Sequence, residues 1–399
     1  MDKQQKYKFN ILTVLVYIVS PFLSIPLILF SVYKRLKSFP IFYALIVSFV
    51  SYLYIPPIEW DKARHIDFYY SSQLLSLKEF FIINFQDQPD FLFRFLLYIG
   101  SISGIRVHYI FFVVTFITVF LIFSVFYNEL IKLKNFEKYT LIITPLIIFS
   151  LSYTDIISGL RYTLAVSFIF YGYYIGLIEK KKIAVMWLLL GLITHFSVIL
   201  FVLLYFFYPL LNKIKIVWLR IVLIVSVSFI FIPNEMMLSF FKGIGVGSLI
   251  DTKLDSYLGN TSTVNEITNS MKIINFFNVA WVIVLNVFLI FKNQFKNIQY
   301  AKLIIVLLIA TNVFVSFPIV YNRYNLFLKL ILVLFLFKEE LSFNRKKIVI
   351  LFVFLFFIVY FNQVIVMRNV LINMLGFNVS NWSFIYQIFE NNFGLKDIK

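Results

Sequence analysis

Apolar residues dominate this chain in long runs that short polar segments separate. The runs fall at about 11–32, 40–55, 107–127, 139–153, 160–178, 183–210, 216–233, 273–291, 302–318, 324–337 and 348–366. Several approach the roughly 20 residues that a helix needs to cross a membrane. Backbone polar groups in lipid must bond within their own segment, so each run is predicted to be helical. The pattern predicts an all-α polytopic membrane protein with about 11–13 transmembrane or re-entrant helices.

Two of the runs depart from a simple crossing. The run 183–210 has basic connectors at both ends, so we expect it to turn back as a re-entrant hairpin with His195 at its tip. The alternative is one long tilted helix. The run 11–32 contains Pro21 and Pro26, either of which can break a helix.

The polar segments are predicted to collect on one side of the membrane. Basic connectors such as Lys180–Lys182 are expected in the cytoplasm, where positively charged loops are retained. This leaves five segments outside: 56–106 with an interfacial helix, 154–161, the loop 234–272, 319–323 and the tail 367–399. We predict a single integral membrane domain over residues 1–399.

Residues 77–104 are predicted to lie along the outer membrane surface. Their final apolar part is short and carries a charge at Arg94. Asp90 lies four residues earlier, which favours a local ion pair between the two side chains.

Composition supports the membrane prediction and excludes several classes of function. Hydrophobic residues make up 61% of the chain, and the net charge is +17. The basic connectors account for that charge, and no basic tract with interleaved aromatics appears, so nucleic acid is not expected as a partner. Cysteine is absent, and His195 has no second ligand at metal-binding spacing. We therefore predict no metal and no cofactor.

The first external segment contains a cluster of charged residues at helical spacing. Asp61, Arg64, His65 and Phe68 would share one face of a helix. In the functional interpretation Asp61 is catalytic, Arg64 binds an anion, and His65 and Asp67 support them. The alternative is local pairing of Asp61 with His65 and of Arg64 with Asp67.

Arg161 stands at the start of the apolar run 160–178. Thr154 and Asp155 precede it, and one of them is expected to cap the helix that Arg161 joins. A helix N-terminus favours an anion, and a guanidinium beside it suits phosphate geometry. The alternative is that Arg161 snorkels to the surface and pairs with Asp155. The GxxxG pair that begins at Gly172 predicts close helix packing.

Two further side chains are candidates for the same chemistry. A histidine at the tip of an apolar hairpin needs a polar partner, so His195 is predicted to transfer a proton or bind a hydroxyl. A satisfied packing residue is the alternative. Arg323 is followed by Tyr324 and is expected to face the same external cavity as Arg161, because a pyrophosphate carries enough charge for two arginines.

Together these motifs resemble a known family. They are D-x-x-R-H from Asp61, then QPDFLFRFLLYIGSISGI, SGLRYTLAVSFIF, LITHFS and YNRY. Their order over most of residues 40–335 is similar to that of the EpsG family of Wzy-like polysaccharide polymerases, which act on O-antigen, capsule or exopolysaccharide. The family's first-loop carboxylate corresponds to Asp61 or Asp67.

The resemblance implies a membrane glycosyltransferase with a GT-C-like plan and an external catalytic face. Its donor and acceptor would be oligosaccharide repeat units on undecaprenyl pyrophosphate, joined at the outer face of the bacterial cytoplasmic (inner) membrane. Membrane lipids, a chain-length regulator and a flippase are the implied partners.

In the predicted mechanism Arg161 and Arg323, helped by Arg64, bind the pyrophosphate. Asp61 or His195 takes the proton from the attacking hydroxyl. One alternative is a flippase for the lipid-linked oligosaccharide, which predicts charges through the whole membrane and an internal repeat. The other is a membrane O-acyltransferase acting on glycans, with its histidine near the cytoplasmic side.

Overall fold

The computed structural model describes residues 2–56, 60–87, 90–133, 136–232, 236–237, 269–292, 295, 298–338, 349–361, 364–365 and 383–384. Within these ranges, helix is the only regular secondary structure. The all-α prediction is confirmed for them. The chain divides into two compact units. The first comprises Met1–Ile143, Ser152–Tyr205 and Met367–Lys399, and the second comprises Thr144–Leu151 and Phe206–Val366. The single membrane domain over 1–399 stays a prediction.

Most of the α-helices follow the apolar runs, whereas α4, α5 and α6 lie between the runs 40–55 and 107–127. In chain order they are α1 (Lys3–Val19), α2 (Ile25–Tyr33), α3 (Phe39–Leu53), α4 (Asp61–Ser72), α5 (Leu77–Asp87), α6 (Phe91–Ile102), α7 (Val107–Ile131), α8 (Phe136–Ser150), α9 (Tyr153–Ser158), α10 (Leu160–Tyr173), α11 (Ala184–Thr194), α12 (Ile199–Leu211), α13 (Ile216–Val227), α14 (Asn269–Phe291), α15 (Ile298–Val313), α16 (Pro318–Lys338) and α17 (Val349–Phe361). Most of the predicted external loop 234–272 and tail 367–399 lies outside the described residues.

Fewer helices than predicted have the full length of a membrane crossing. Among the described residues, Val107–Ile131 and Val320–Phe337 are long and apolar enough, and shorter apolar helices of 10–17 residues accompany them. One reason is that prolines and polar turns divide the runs. The predicted run 11–32 is broken between α1 and α2 at the turn that contains Pro21, while Pro26 lies in the first turn of α2.

The helices α10 and α11 run antiparallel in close contact. Early in α11, Leu188 lies against Gly172, where an added Cβ would be 3.1 Å from the leucine Cδ2. At the other end of α11, the ring of His195 lies 5.7 Å from that of Tyr162 at the start of α10. The close packing predicted from the GxxxG pair is confirmed at Gly172.

The helix α12 then returns along α10. The Tyr173 hydroxyl donates to the Phe201 carbonyl at 2.6 Å, and Tyr205 lies against Gly176 beyond the end of α10. The run 183–210 therefore turns back on itself as predicted, and His195 lies at the tip of the hairpin.

A buried lysine fixes α4 to its neighbours. Lys62 has no exposed surface, and its Nζ donates to the Tyr54 carbonyl at 2.9 Å and to the Ser51 carbonyl. Those oxygens belong to the end of α3, where carbonyls lack helical partners. The ammonium also lies 4.9 Å from the ring centre of Phe111 on α7. One side chain thus joins α3, α4 and α7.

In the second unit, a buried amide network joins α13, α14 and α15. Asn286 and Asn312 donate to each other's side-chain oxygens at 3.0 and 2.9 Å, and Asn312 also donates to Ser226 Oγ at 2.9 Å. Side-chain amides of this kind hold helices together where the surroundings are apolar.

Candidate functional site

Asp90 brings together two of the predicted site residues. It directly precedes α6, yet its carboxylate makes no capping bond to that helix. Instead Oδ2 lies 3.0 Å from Arg161 Nη1, and Oδ1 lies 3.3 Å from His195 Nδ1. The Asp90 side chain is 9% exposed. One buried carboxylate therefore joins the start of α10 to the tip of the α11–α12 hairpin.

Arg161 reaches this carboxylate from the first turn of α10. The short helix α9 ends just before Gly159, where an added Cβ would lie 3.0 Å from the Asp155 carbonyl oxygen. The new helix N-terminus favours a negative charge, and Asp90 provides one. The predicted capping by Thr154 or Asp155 is wrong, because Gly159 stands at the start of α10 and no side chain caps that helix. Ser152 caps the preceding α9 by accepting from the Asp155 amide. Arg161 pairs with Asp90, not with Asp155.

His195 is held by the break between α11 and α12. Its backbone is extended, with φ −155° and ψ 113°, and the next amide, of Phe196, donates to Asp90 Oδ1 at 2.7 Å. Nδ1 lies 3.3 Å from Asp90 Oδ1 and 3.5 Å from the Ser197 amide nitrogen. A single Nδ1 cannot both donate and accept in the plane of the ring. The shorter distance and the negative charge favour an Nδ1–H that donates to Asp90. Nε2 is then the basic nitrogen.

The predicted need of His195 for a polar partner is confirmed by Asp90. The carboxylate holds the ring from one side, and Tyr162 packs against it edge to face at 5.7 Å. Its role in proton transfer or hydroxyl binding stays a prediction.

Asp90 is charged despite its burial. Burial by itself raises the pKa of the carboxyl, but the hydrogen bond from His195, the charge that this imidazole carries when protonated, the charge of Arg161 and the Phe196 amide together outweigh it. The pKa is therefore below its usual range.

His65 lies near Arg161, the cation that pairs with Asp90. It is buried on α4, and its ring centre is 4.7 Å from that of Phe93. Burial lowers the pKa of His65, and the charge of Arg161 lowers it further. In the described part of the chain, its Nε2 has no hydrogen-bond partner. His65 is therefore a neutral imidazole beside the Asp90 cluster.

Two of the charged side chains on α4 form an ion pair with each other. Asp61 pairs with Arg64 one turn later, so the predicted pairing of Asp61 with His65 is wrong. The side chain of Arg64 is 68% exposed, and Asp67 is exposed as well. A pair three residues apart forms because both charges are near the surface, whereas His65 points into the protein.

A cleft of about 310 Å³ lies beside the start of α10. Its lining residues are Trp60, Asp61, Thr154, Asp155, Ser158 and Gly159. Two predicted site residues, Asp61 and Asp155, thus face one cavity together with a tryptophan and two hydroxyls. Carboxylates and hydroxyls accept hydrogen bonds from polar ligands, and an indole offers a flat apolar surface.

Arg323 and Tyr324 lie in the second unit, near the start of α16. The ring of Tyr324 stacks on Phe314 at 5.0 Å. The neighbouring Tyr321 is buried and donates to the Asn278 carbonyl at 2.5 Å. The predicted convergence of Arg323 with Arg161 stays a prediction.

The sequence interpretation missed Asp90. A local pair with Arg94 was expected, but Asp90 pairs with Arg161 and His195, which lie 71 and 105 residues further along the chain. The guanidinium of Arg94 lies 5.3 Å from the ring centre of Phe68. An aspartate within an aromatic, apolar segment was the available signal, because such a charge needs a partner when it is buried.

The comparisons with known proteins identify a family. No curated protein and no solved structure matches the chain significantly. Residues 59–379 match the EpsG family, which is related to Wzy-like polymerases. The matched segment includes the Asp90 cluster and most of the chain. The protein therefore belongs to the EpsG family, as a membrane protein of polysaccharide biosynthesis.

Proposed function

We propose that this protein is a polysaccharide polymerase. It is a membrane glycosyltransferase that joins oligosaccharide repeat units carried on undecaprenyl pyrophosphate, at the outer face of the bacterial cytoplasmic membrane. The observation that carries the proposal is the buried Asp90 cluster, which holds a guanidinium and an imidazole at one carboxylate. Membership of the EpsG family supports it.

Arg161 binds the diphosphate of the donor. A guanidinium presents parallel N–H groups to phosphate oxygens, and the N-terminus of α10 adds a favourable field. As the glycosidic bond to the diphosphate breaks, negative charge grows on the leaving oxygen, and Arg161 stabilises it. Arg64 on α4 is assigned as a further cation for the same group.

The acceptor sugar occupies the cleft beside Gly159. Asp61 and Asp155 accept hydrogen bonds from its hydroxyls, and Trp60 supplies an apolar face for the ring. The cleft adjoins the start of α10, so the acceptor would lie close to the diphosphate held by Arg161.

His195 takes the proton in the reaction. The acceptor oxygen forms a bond to the anomeric carbon of the donor, and the bond from that carbon to the diphosphate oxygen breaks with its electron pair. The proton of the attacking hydroxyl passes to His195 Nε2. Asp90, opposite Nδ1, stabilises the imidazolium that forms. Asp61 is the second candidate for the base, because it lines the acceptor cleft.

Deletion and complementation in the host bacterium test this function. Polymerase activity predicts that the deletion strain loses the ladder of long glycans on a gel but retains single repeats. Retention of lipid-linked units on the inner face, with no surface repeat, would instead identify a flippase.

Point variants then test the site. We expect Arg161→Ala and His195→Gln to fail to restore the ladder at normal expression, because they remove the diphosphate cation and the base. Lys78→Ala, an exposed lysine on α5, is the matched control and should restore it. A full ladder with Arg161→Ala would refute the assigned role of that arginine.

A further inference from the structure

We infer that Asp90 is an exchangeable counter-ion of Arg161. Asp90 pairs with Arg161 when no donor is bound and releases it to a diphosphate when the donor binds. Throughout, Asp90 keeps its contact with His195. The inference rests on the proposed function for the identity of the donor, and the diphosphate exchange itself can be tested without polymer synthesis.

The two oxygens of the carboxylate have separate partners. Oδ2 faces Arg161 at 3.0 Å, whereas Oδ1 accepts from the Phe196 amide at 2.7 Å and lies 3.3 Å from His195 Nδ1. Loss of the guanidinium therefore leaves Oδ1 with its hydrogen bonds intact. The carboxylate can give up Arg161 without releasing the hairpin tip.

Arg161 is the more exposed partner in this pair. Its side chain is 18% exposed, while those of Asp90 and His195 are 9% and 7% exposed. A long side chain that reaches the surface can change rotamer at modest cost. A diphosphate carries more negative charge than one carboxylate and offers two acceptors to the guanidinium fork, so it can compete successfully.

This arrangement makes Asp90 a positioning residue with two opposing effects. It orients His195 for proton transfer, so its charge favours turnover. It also competes with the donor for Arg161, so its charge opposes diphosphate binding. A merely structural carboxylate would affect binding and turnover in the same direction.

The experiment compares wild type, Asp90→Asn, Asp90→Glu and Arg161→Ala as full-length protein in detergent. The probes are inorganic pyrophosphate and a polyprenyl diphosphate, and the measurement is their dissociation constant by calorimetry. Polymer formation from lipid-linked repeats is measured separately. A melting curve for each variant establishes that it is folded.

We expect Asp90→Asn to bind both probes at least about tenfold more tightly than wild type, because close charge pairs couple by more than 1.4 kcal/mol. The same variant should lose most polymer formation. Asp90→Glu should restore part of both properties, and Arg161→Ala should bind neither probe. Tighter binding of the polyprenyl diphosphate would identify a lipid-linked ligand, whereas equal affinities would identify the diphosphate group alone.

Unchanged or weaker diphosphate binding in a folded Asp90→Asn would overturn the exchange. So would diphosphate binding that survives Arg161→Ala. If Asp90→Asn binds more tightly but wild type forms no polymer, the exchange stands and the proposed polymerase function fails.

Discussion

The ion pair between Asp90 and Arg161 predicts a large coupling energy. The two charges lie 3.0 Å apart, and at an effective dielectric constant of about 20 they attract each other by about 5.5 kcal/mol. Removing both groups from water offsets part of this attraction. Charged hydrogen bonds of this kind contribute about 1.5–3 kcal/mol net. We therefore expect a coupling of about 2 kcal/mol between the two side chains.

A double-mutant cycle measures this coupling. Wild type, Asp90→Ala, Arg161→Ala and the double variant are unfolded with denaturant in detergent micelles, and their free energies of unfolding are compared. Each single substitution leaves one charge without its partner, so the double variant should lose clearly less stability than the sum of the two. Additivity within about 0.5 kcal/mol would refute the reasoning.

The same pair predicts the direction of a pH effect. The pKa of Asp90 is below its usual value in the folded state, so the pair contributes its full stability above about pH 4. That contribution is lost as the pH falls through the folded pKa. Acidification should therefore destabilise wild type more than Asp90→Asn, and equal slopes in the two proteins would contradict this.

Three further substitutions test the packing within the two units. Gly191→Val should lower stability by about 1–3 kcal/mol in thermal melts, because an added Cβ would lie only 2.7 Å from a side-chain carbon of α10. Lys62→Met should cost about 2–4 kcal/mol, since two buried carbonyls lose their donor, whereas the exposed Lys78→Met should change the unfolding free energy by less than about 0.5 kcal/mol. Asn286→Leu should destabilise more than the double variant Asn286→Leu/Asn312→Leu, because the single change strands a buried amide; the reverse order would contradict a reciprocal pair.

Much of the secondary structure was predictable because it depends on local chemistry. The apolar runs predicted most helices, and Pro21 marked the break in the first run. The hairpin around His195 followed from basic residues at both ends of one run, a rule that concerns membrane insertion and needs no tertiary structure. Glycine spacing likewise predicted the close contact at Gly172.

The centre of the candidate site was not predictable in the same way. Sequence spacing indicates partners within a helical turn, so Asp90 was predicted to form an ion pair with Arg94. Arg161 and His195, with which it pairs, belong to α10 and to the hairpin tip, and only tertiary packing brings them near. The predicted pairing of Asp61 with His65 was also wrong. The two residues were expected to share one face of α4, and this spacing did not indicate that His65 is buried.

The glycine-lined contact between α10 and α11 restricts how this protein can evolve. An α-helix turns by about 100° for each residue, so one residue inserted between Ala184 and Thr194 would rotate His195 away from Asp90. An insertion in the connector around Lys180–Lys182 would leave the register within α11 unchanged. We therefore expect natural insertions and deletions to be tolerated before α11 and excluded within it.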